Sequence, residues 1–290
     1  MALQIICIVF SPYHVGLHDH RVGNGRSRID RVNDFEGEIG RSFEILRRIS
    51  TTVSTAVAEN TFPLILSGNC MASAAVACGL RAQSVEKRGG GGDDALVFIY
   101  FDAHDDLDSP DVNENGYLDA MGLLMLRGES WKTLMGTVPG FEAFDFGNGR
   151  FLYCGLRDQS AVQRQRVVDS GMHSIWGGIN REGEKKVDFV AGLKRRLQGQ
   201  SYGPALVHLD LDVLDESYGK VNNYLSPGGL FEDVLVPCID SVLRMVTPKS
   251  LTVCSFDPDA GDGDKVAGIA LRAIIAFVRS LLETGVISKP

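Results

Sequence analysis

The sequence predicts a single α/β domain, residues 1–290, built around a doubly wound and mostly parallel sheet. Three observations carry that expectation. Short β-rich runs alternate with amphipathic helical stretches along the whole chain. Several runs are apolar on both faces, as central parallel strands covered by helices must be. Neither an internal repeat nor a linker interrupts the pattern, and 290 residues with 44% hydrophobic content suffice for one large core.

The elements follow in order. "LQIICIVF" (3–10) is apolar but lacks a basic leader and a small-residue cleavage pattern, so it reads as a first strand rather than a signal peptide. A helical pattern covers 34–59, then comes the strand "FPLILSG" (62–68) and a helix over 70–86. "EKRGGGGDD" (86–94) reads as a flexible link. The third strand, "ALVFIYFDA" (95–103), runs into an Asp/Asn/Pro/Gly-rich stretch at 105–118. That stretch leaves the carboxyl end of a strand, the edge where open α/β sheets bind ligands. Next come the strand "RFLYCGL" (150–156), a helix over 187–200, and the strand "ALVHLDLDV" (205–213). A helix over 231–246, the strand "SLTVCSFDP" (250–258) and a helix over 264–284 close the chain.

Composition narrows the function. A net charge of −8 argues against nucleic acid or an anionic membrane surface as partner. No apolar run approaches the roughly 18 residues of a membrane span. The six cysteines form no CxxC pair, which suits a reducing, cytoplasmic setting. Cys7, Cys154 and Cys254 lie inside apolar runs, where cysteine behaves as a small hydrophobe.

Chemistry concentrates at three strand ends. The first carries Asp102, His104 and Asp106; the second carries Asp210 and Asp212; the third carries Asn69 and Cys70 at a strand-to-helix turn. Residues two apart in an extended strand share a face, so Asp102 is expected to point with His104, and Asp210 with Asp212. His208 is expected to face away from Asp210, in the core or in support of the ligands. Asp105 and Asp111 read as solvated loop residues.

Two carboxylates about 4 Å apart repel by roughly 4 kcal/mol at an effective dielectric of 20. Asp102 and Asp210 are embedded in apolar runs, where an unpaired charge is costly. A bound cation resolves the conflict, and carboxylate oxygens with one imidazole suit Mn²⁺, Zn²⁺ or a related ion.

The motifs resemble those of the arginase family, the ureohydrolases, which include agmatinase and related amidinohydrolases. "FDAHDDLDSP" is similar to that family's D-A-H-x-D motif and "HLDLDVLD" to its second D-x-D motif. "LSGNCMAS" stands where the family has G-G-D-H-S, and "CGLRD" and "SPGGL" match further landmarks in the same order. The resemblance implies a three-layer α/β/α sandwich, two Mn²⁺ ions bridged by hydroxide, a small-molecule substrate, and assembly into trimers or hexamers. One ion would take Asp102, His104, Asp210 and Asp212; the other would take Asp102, Asp106, Asp210 and a histidine that here is Cys70. A thiolate favours softer ions such as Zn²⁺. Cys70 sits near a helix N-terminus, where its pKa is expected to fall. Its role as ligand, nucleophile or packing residue is open.

Further correspondences concern the substrate. A proton-shuttling histidine falls on Asp119, and the glutamate that grips a guanidinium falls on Ser255. The aspartate that meets an ammonium falls on Ser160, and a carboxylate-binding asparagine falls on Asp108. A neutral serine cannot replace a charge-assisted clamp on a guanidinium, so arginase activity itself is not expected. Asp257 and Asp119 could restore negative charge near a cationic group. His18, with His14 and His20, borders the expected mouth and could contact substrate or move a proton. Tyr224, in "VNNYLSP", could contact substrate or pack.

The expected activity is metal-dependent hydrolysis of a linear C–N bond in an amidine, guanidine or amide, with Asp106 orienting the attacking hydroxide. Two alternatives stand beside it. One is a Cys70-dependent acyl or amidino transferase or cyclase. The other is a non-catalytic, metal-stabilised binding protein on the same fold.

Overall fold

A computed structural model describes residues 5–12, 37–88, 96–113, 116–178, 186–198, 203–222, 224–258 and 260–288 of the chain. The strands are β1 (Ile5–Ser11), β2 (Thr61–Ser67), β3 (Val97–Phe101), β4 (Phe151–Cys154), β5 (His173–Ile175), β6 (Pro204–Asp210) and β7 (Thr247–Cys254). They form one seven-stranded sheet in the order β1-β2-β7-β6-β3-β4-β5, with every pair parallel. The helices are α1 (Gly37–Ala58), α2 (Ala72–Arg88), α3 (Gly122–Leu126), α4 (Lys132–Met135), α5 (Ala161–Asp169), α6 (Phe189–Leu197), α7 (Glu232–Leu243) and α8 (Gly263–Glu283).

The helices cover both faces of the sheet, as expected for a three-layer α/β/α sandwich. Central strand β3 shows why. All five of its residues are buried. Phe98 and Tyr100 join the core beneath α1 and α2 with Phe43, Leu46 and Val76. Val97, Ile99 and Phe101 join the opposite core with Leu193 of α6, Leu235 of α7 and Phe277 of α8. A strand covered twice needs apolar residues at every position, which explains the unbroken run "VFIYF".

Strand order also places the site. β2, β7, β6 and β3 are consecutive neighbours, so their carboxyl ends form one row. The chain leaves β3 toward β4 and β5, then returns to the other side of β3 as β6. The outgoing connections diverge there and open a crevice at the strand ends.

Several elements depart from the sequence reading. β5 and α5 were not expected: β5 has three residues with only Ile175 buried, and α5 buries only Val167. Neither offers an apolar period long enough to read. α5 is instead held by a capping box between Ser160 and Gln163. Of the expected link 86–94, residues 86–88 extend α2 and the rest lie outside the described residues. Asp105, expected in solvent, is 3% exposed; its side chain accepts the Leu107 N–H at 3.0 Å while the Tyr153 hydroxyl bonds its carbonyl at 2.7 Å. Asp111 is exposed as expected. No helix among the described residues is long and apolar enough to cross a membrane.

Candidate active site

Both acidic motifs are folded by the same local device. The Asp102 carboxylate accepts the backbone N–H of His104 at 2.7 Å, and the Asp210 carboxylate accepts that of Asp212 at 2.7 Å. β3 ends at Phe101 and β6 at Asp210, so His104 and Asp212 lie in turns beyond the strands. This corrects the expectation of strand alternation: the spacing of two is that of an aspartate folding the chain back onto its own side chain. Asp106 completes the first turn in the left-handed region, at φ +52°.

The turns bring unlike charges together. His104 Nδ1 lies 3.2 Å from Asp212 and 3.8 Å from Asp102, while Nε2 lies 3.3 Å from Asp158. Burial opposes a charge on His104, but Asp212 and its other acidic neighbours raise its pKa well above the usual histidine range. Burial likewise would raise Asp212, yet His104 and Arg157 hold it below the usual carboxylate value. Arg157, in the "GLRD" segment, donates to the carbonyls of Gly155, Asp212, Val213, Leu214 and Ser226. It ties the β6 exit to the loop ahead of α7.

Cys70 arrives from the end of β2. Asp119, from the turn Leu118–Met121, accepts the N–H groups of Cys70 at 3.1 Å and Met71 at 2.8 Å. Gly122 lets that turn close, because a Cβ there would sit 2.8 Å from the Met71 Cα. The Cys70 sulfur lies 2.5 Å from Asp210, 2.9 Å from the Ser255 hydroxyl and 3.3 Å from the Cys254 sulfur. Its pKa does not fall, contrary to expectation. Burial, the neighbouring Cys254 thiol and the Asp210 charge push it well above the usual range.

The remaining carboxylates show the strain of crowding. Burial and mutual repulsion raise Asp102, Asp106 and Asp210 well above the usual range. Asp119 is pushed up to about 7, chiefly by burial. One buried oxygen of Asp102 has no hydrogen-bond partner among the described residues. An anionic cluster of this kind, with an orphaned carboxylate oxygen at its base, fits divalent cations.

The ligand atoms fall into three compact groups, each within 4.8 Å: Asp102, His104 and Asp212; Cys70, Asp102 and Asp106; and Cys70, His208, Asp210 and Cys254. Asp210 thus groups with sulfur and not with His104. His208 and Cys254 were missed as site residues. His208 was expected to face away from Asp210, but residues two apart on β6 point the same way, and its Nε2 lies 3.6 Å from Asp102. Burial lowers its pKa to about 3, which keeps the ring neutral. Cys254 was expected to be plain core. The end of β7 instead sets its sulfur beside Cys70.

Above this floor lies a cavity of about 190 Å³, lined by Cys70, His104, Asp106, Asp108, Asp119, Asp210, Asp212, Tyr224 and Ser255 among others. The Tyr224 ring stacks on Tyr117 at 5.2 Å, forming one wall. Asp108 is engaged by Arg166 at 3.0 Å and Asn113 at 2.9 Å. Ser255, at φ +63°, donates to Asp210 at 2.6 Å. Two expected substrate residues do not line the cavity: Ser160 caps α5, and Asp257 follows β7 with its N–H on the Val221 carbonyl. His18 lies outside the described residues.

Comparison with known proteins bears on the fold and the family. The arginase of Staphylococcus aureus (strain MRSA252) is 25% identical over 173 residues, 59% of this chain and 52% of that protein. The chain therefore matches about half the length of that relative. The crystal structure of an arginase from Bacillus subtilis superposes with a TM-score of 0.75 at 16% identity, covering 95% of this chain and 98% of that one. A formimidoylglutamase from Bacillus subtilis superposes with a TM-score of 0.68 at 14% identity, covering 97% and 88%. A sequence model of the Arginase family matches residues 13–279, and across that span this chain belongs to the arginase family.

Proposed function

We propose that the protein is a divalent-metal-dependent hydrolase that cleaves a linear C–N bond in an amidine, guanidine or amide, and that arginine is not its substrate. The observation that carries this reading is the convergence of His104, Asp106, Asp210 and Asp212 on the lining of one cavity, with buried Asp102 in ligand range of His104 and Asp212 behind it. Asp102, His104 and Asp212 would hold a hard ion, for which Mn²⁺ is the natural choice. Bound there, such an ion supplies Lewis acidity that eases deprotonation of water near neutral pH.

The chain's own residues do the rest. Asp106, held in its left-handed turn with Tyr100 at 3.4 Å, accepts a hydrogen bond from the attacking water and aims it at the trigonal carbon. Asp119 lines the same cavity and hands a proton to the departing nitrogen. Water thus adds hydroxyl to carbon and hydrogen to nitrogen, and a carbonyl compound and an amine leave. Asp108, Asp119 and Asp158 around the cavity suit a substrate with a cationic nitrogen group. Ser255, already committed to Asp210 and Cys70, offers no bidentate clamp for a guanidinium. Burial keeps Cys70 a thiol, which weighs against a nucleophilic role.

The test is a screen of amidines, guanidines and amides with Mn²⁺-loaded protein. Turnover of at least one, lost in Asp106→Asn and in chelator-treated protein, supports the reading. Full turnover in metal-stripped protein contradicts it.

A further inference from the structure

We propose that Cys70, His208, Asp210 and Cys254 form a closed site for a borderline-soft divalent cation of the Zn²⁺ class, distinct in donor chemistry from the oxygen-rich group at His104. The four side chains come from the ends of the adjacent strands β2, β7 and β6, and all are buried. Their ligand atoms lie within 4.8 Å of one another.

Geometry supports the site. Bonds of about 2.0–2.3 Å in a tetrahedron put ligand atoms roughly 3.3–3.8 Å apart. The Cys254 sulfur lies 3.3 Å from Cys70, 3.5 Å from His208 Nε2 and 3.7 Å from Asp210. A shorter edge, Cys70 to Asp210 at 2.5 Å, is a thiol–carboxylate hydrogen bond. Exchanging that proton for a cation lets the pair open to tetrahedral spacing.

The second observation is the mounting of His208. Its Nδ1 lies 2.6 Å from the Ser73 hydroxyl, and Tyr100 stacks on its ring at 3.7 Å and 7°. Ser73 can take the ring N–H, which leaves the Nε2 lone pair facing Cys254. An imidazole tied at one nitrogen, with the other turned toward a sulfur and a carboxylate, is the usual posture of a metal ligand. The Asp102 oxygen that lacks a hydrogen-bond partner among the described residues lies 3.6 Å from the same Nε2. Two sulfurs and an imidazole select Zn²⁺ over Mn²⁺. With four protein ligands this site has no open position, so catalytic coordination falls to the Asp102, His104 and Asp212 group. The inference stands on this geometry and does not depend on the proposed hydrolysis.

The experiment titrates the metal-free full chain with Co²⁺ and follows sulfur-to-cobalt charge-transfer absorption. One equivalent is expected to give a two-thiolate band that Zn²⁺ removes and excess Mn²⁺ does not. Cys254→Ser should halve the band, while Asp212→Asn should leave it intact. Absence of the band, or full intensity in Cys254→Ser, overturns the proposal. Should Cys254→Ser not fold, alkylation of the wild-type chain decides. Zn²⁺ is expected to protect Cys70 and Cys254 at least tenfold from a maleimide, and equal labelling with and without Zn²⁺ overturns it. Neither readout needs turnover, so an inactive protein that keeps the band contradicts only the hydrolytic reading.

Discussion

The Asp119 carboxylate accepts the backbone N–H groups of two consecutive residues, Cys70 at 3.1 Å and Met71 at 2.8 Å. A turn 48 positions later in sequence than Met71 thereby fixes where the Cys70 sulfur sits. Leaving both buried donors unpaired costs about 1–3 kcal/mol each. Asp119→Ala is therefore expected to lose about 2–4 kcal/mol in urea unfolding. Asp119→Asn keeps one acceptor and should lose roughly half as much. Equal stability of all three proteins would show that the contact holds nothing.

Arg157 invites a similar test on the other side of the site. Its guanidinium spans five carbonyls, those of Gly155, Asp212, Val213, Leu214 and Ser226. A lysine ammonium cannot reach them as a planar fork. Arg157→Lys should destabilise the fold by about 2–4 kcal/mol and weaken Mn²⁺ binding, measured by calorimetry. Wild-type affinity in Arg157→Lys would remove Arg157 from the support of the site.

Asp105 supplies a pH signature. Burial pushes its pKa up to about 6, from an ordinary value of 3.8. The folded state therefore holds this proton more tightly than the unfolded chain, and the ionised residue costs stability as pH rises through about 6. Asp105→Asn should stabilise the protein by up to about 3 kcal/mol at pH 8, with the gain shrinking toward zero near pH 4. A gain that grows on acidification would contradict this.

Ser160 separates a capping residue from a substrate residue. Ser160→Ala removes the side-chain acceptor for the Gln163 N–H and should cost about 1 kcal/mol of stability. Substrate KM is expected to stay unchanged, because Ser160 does not line the cavity. A several-fold rise in KM without loss of stability would restore its substrate role.

The sequence was most readable where one residue type serves one structural need. The apolar run Val97–Phe101 had to be a central strand, and the acids that follow it had to meet a counter-charge. Reading failed where tertiary order decides. His208 and Cys254 look like core residues within β6 and β7; only the adjacency of β7 to both β2 and β6 brings them to Cys70. Asp212 lies 3.2 Å from His104, and the Asp210 turn, not strand alternation, delivers it there. The Cys70 thiol was expected to acidify near a helix start, and burial among carboxylates outweighs that field. β5 and α5 carry too few buried residues to leave a periodic trace.

The most direct measurement is anomalous diffraction from crystals of the full chain grown with excess Mn²⁺. A manganese peak enclosed by Asp102, His104 and Asp212 is expected at the carboxyl ends of β3 and β6. Those side chains parted around ordinary water, with no anomalous signal between them, would contradict it.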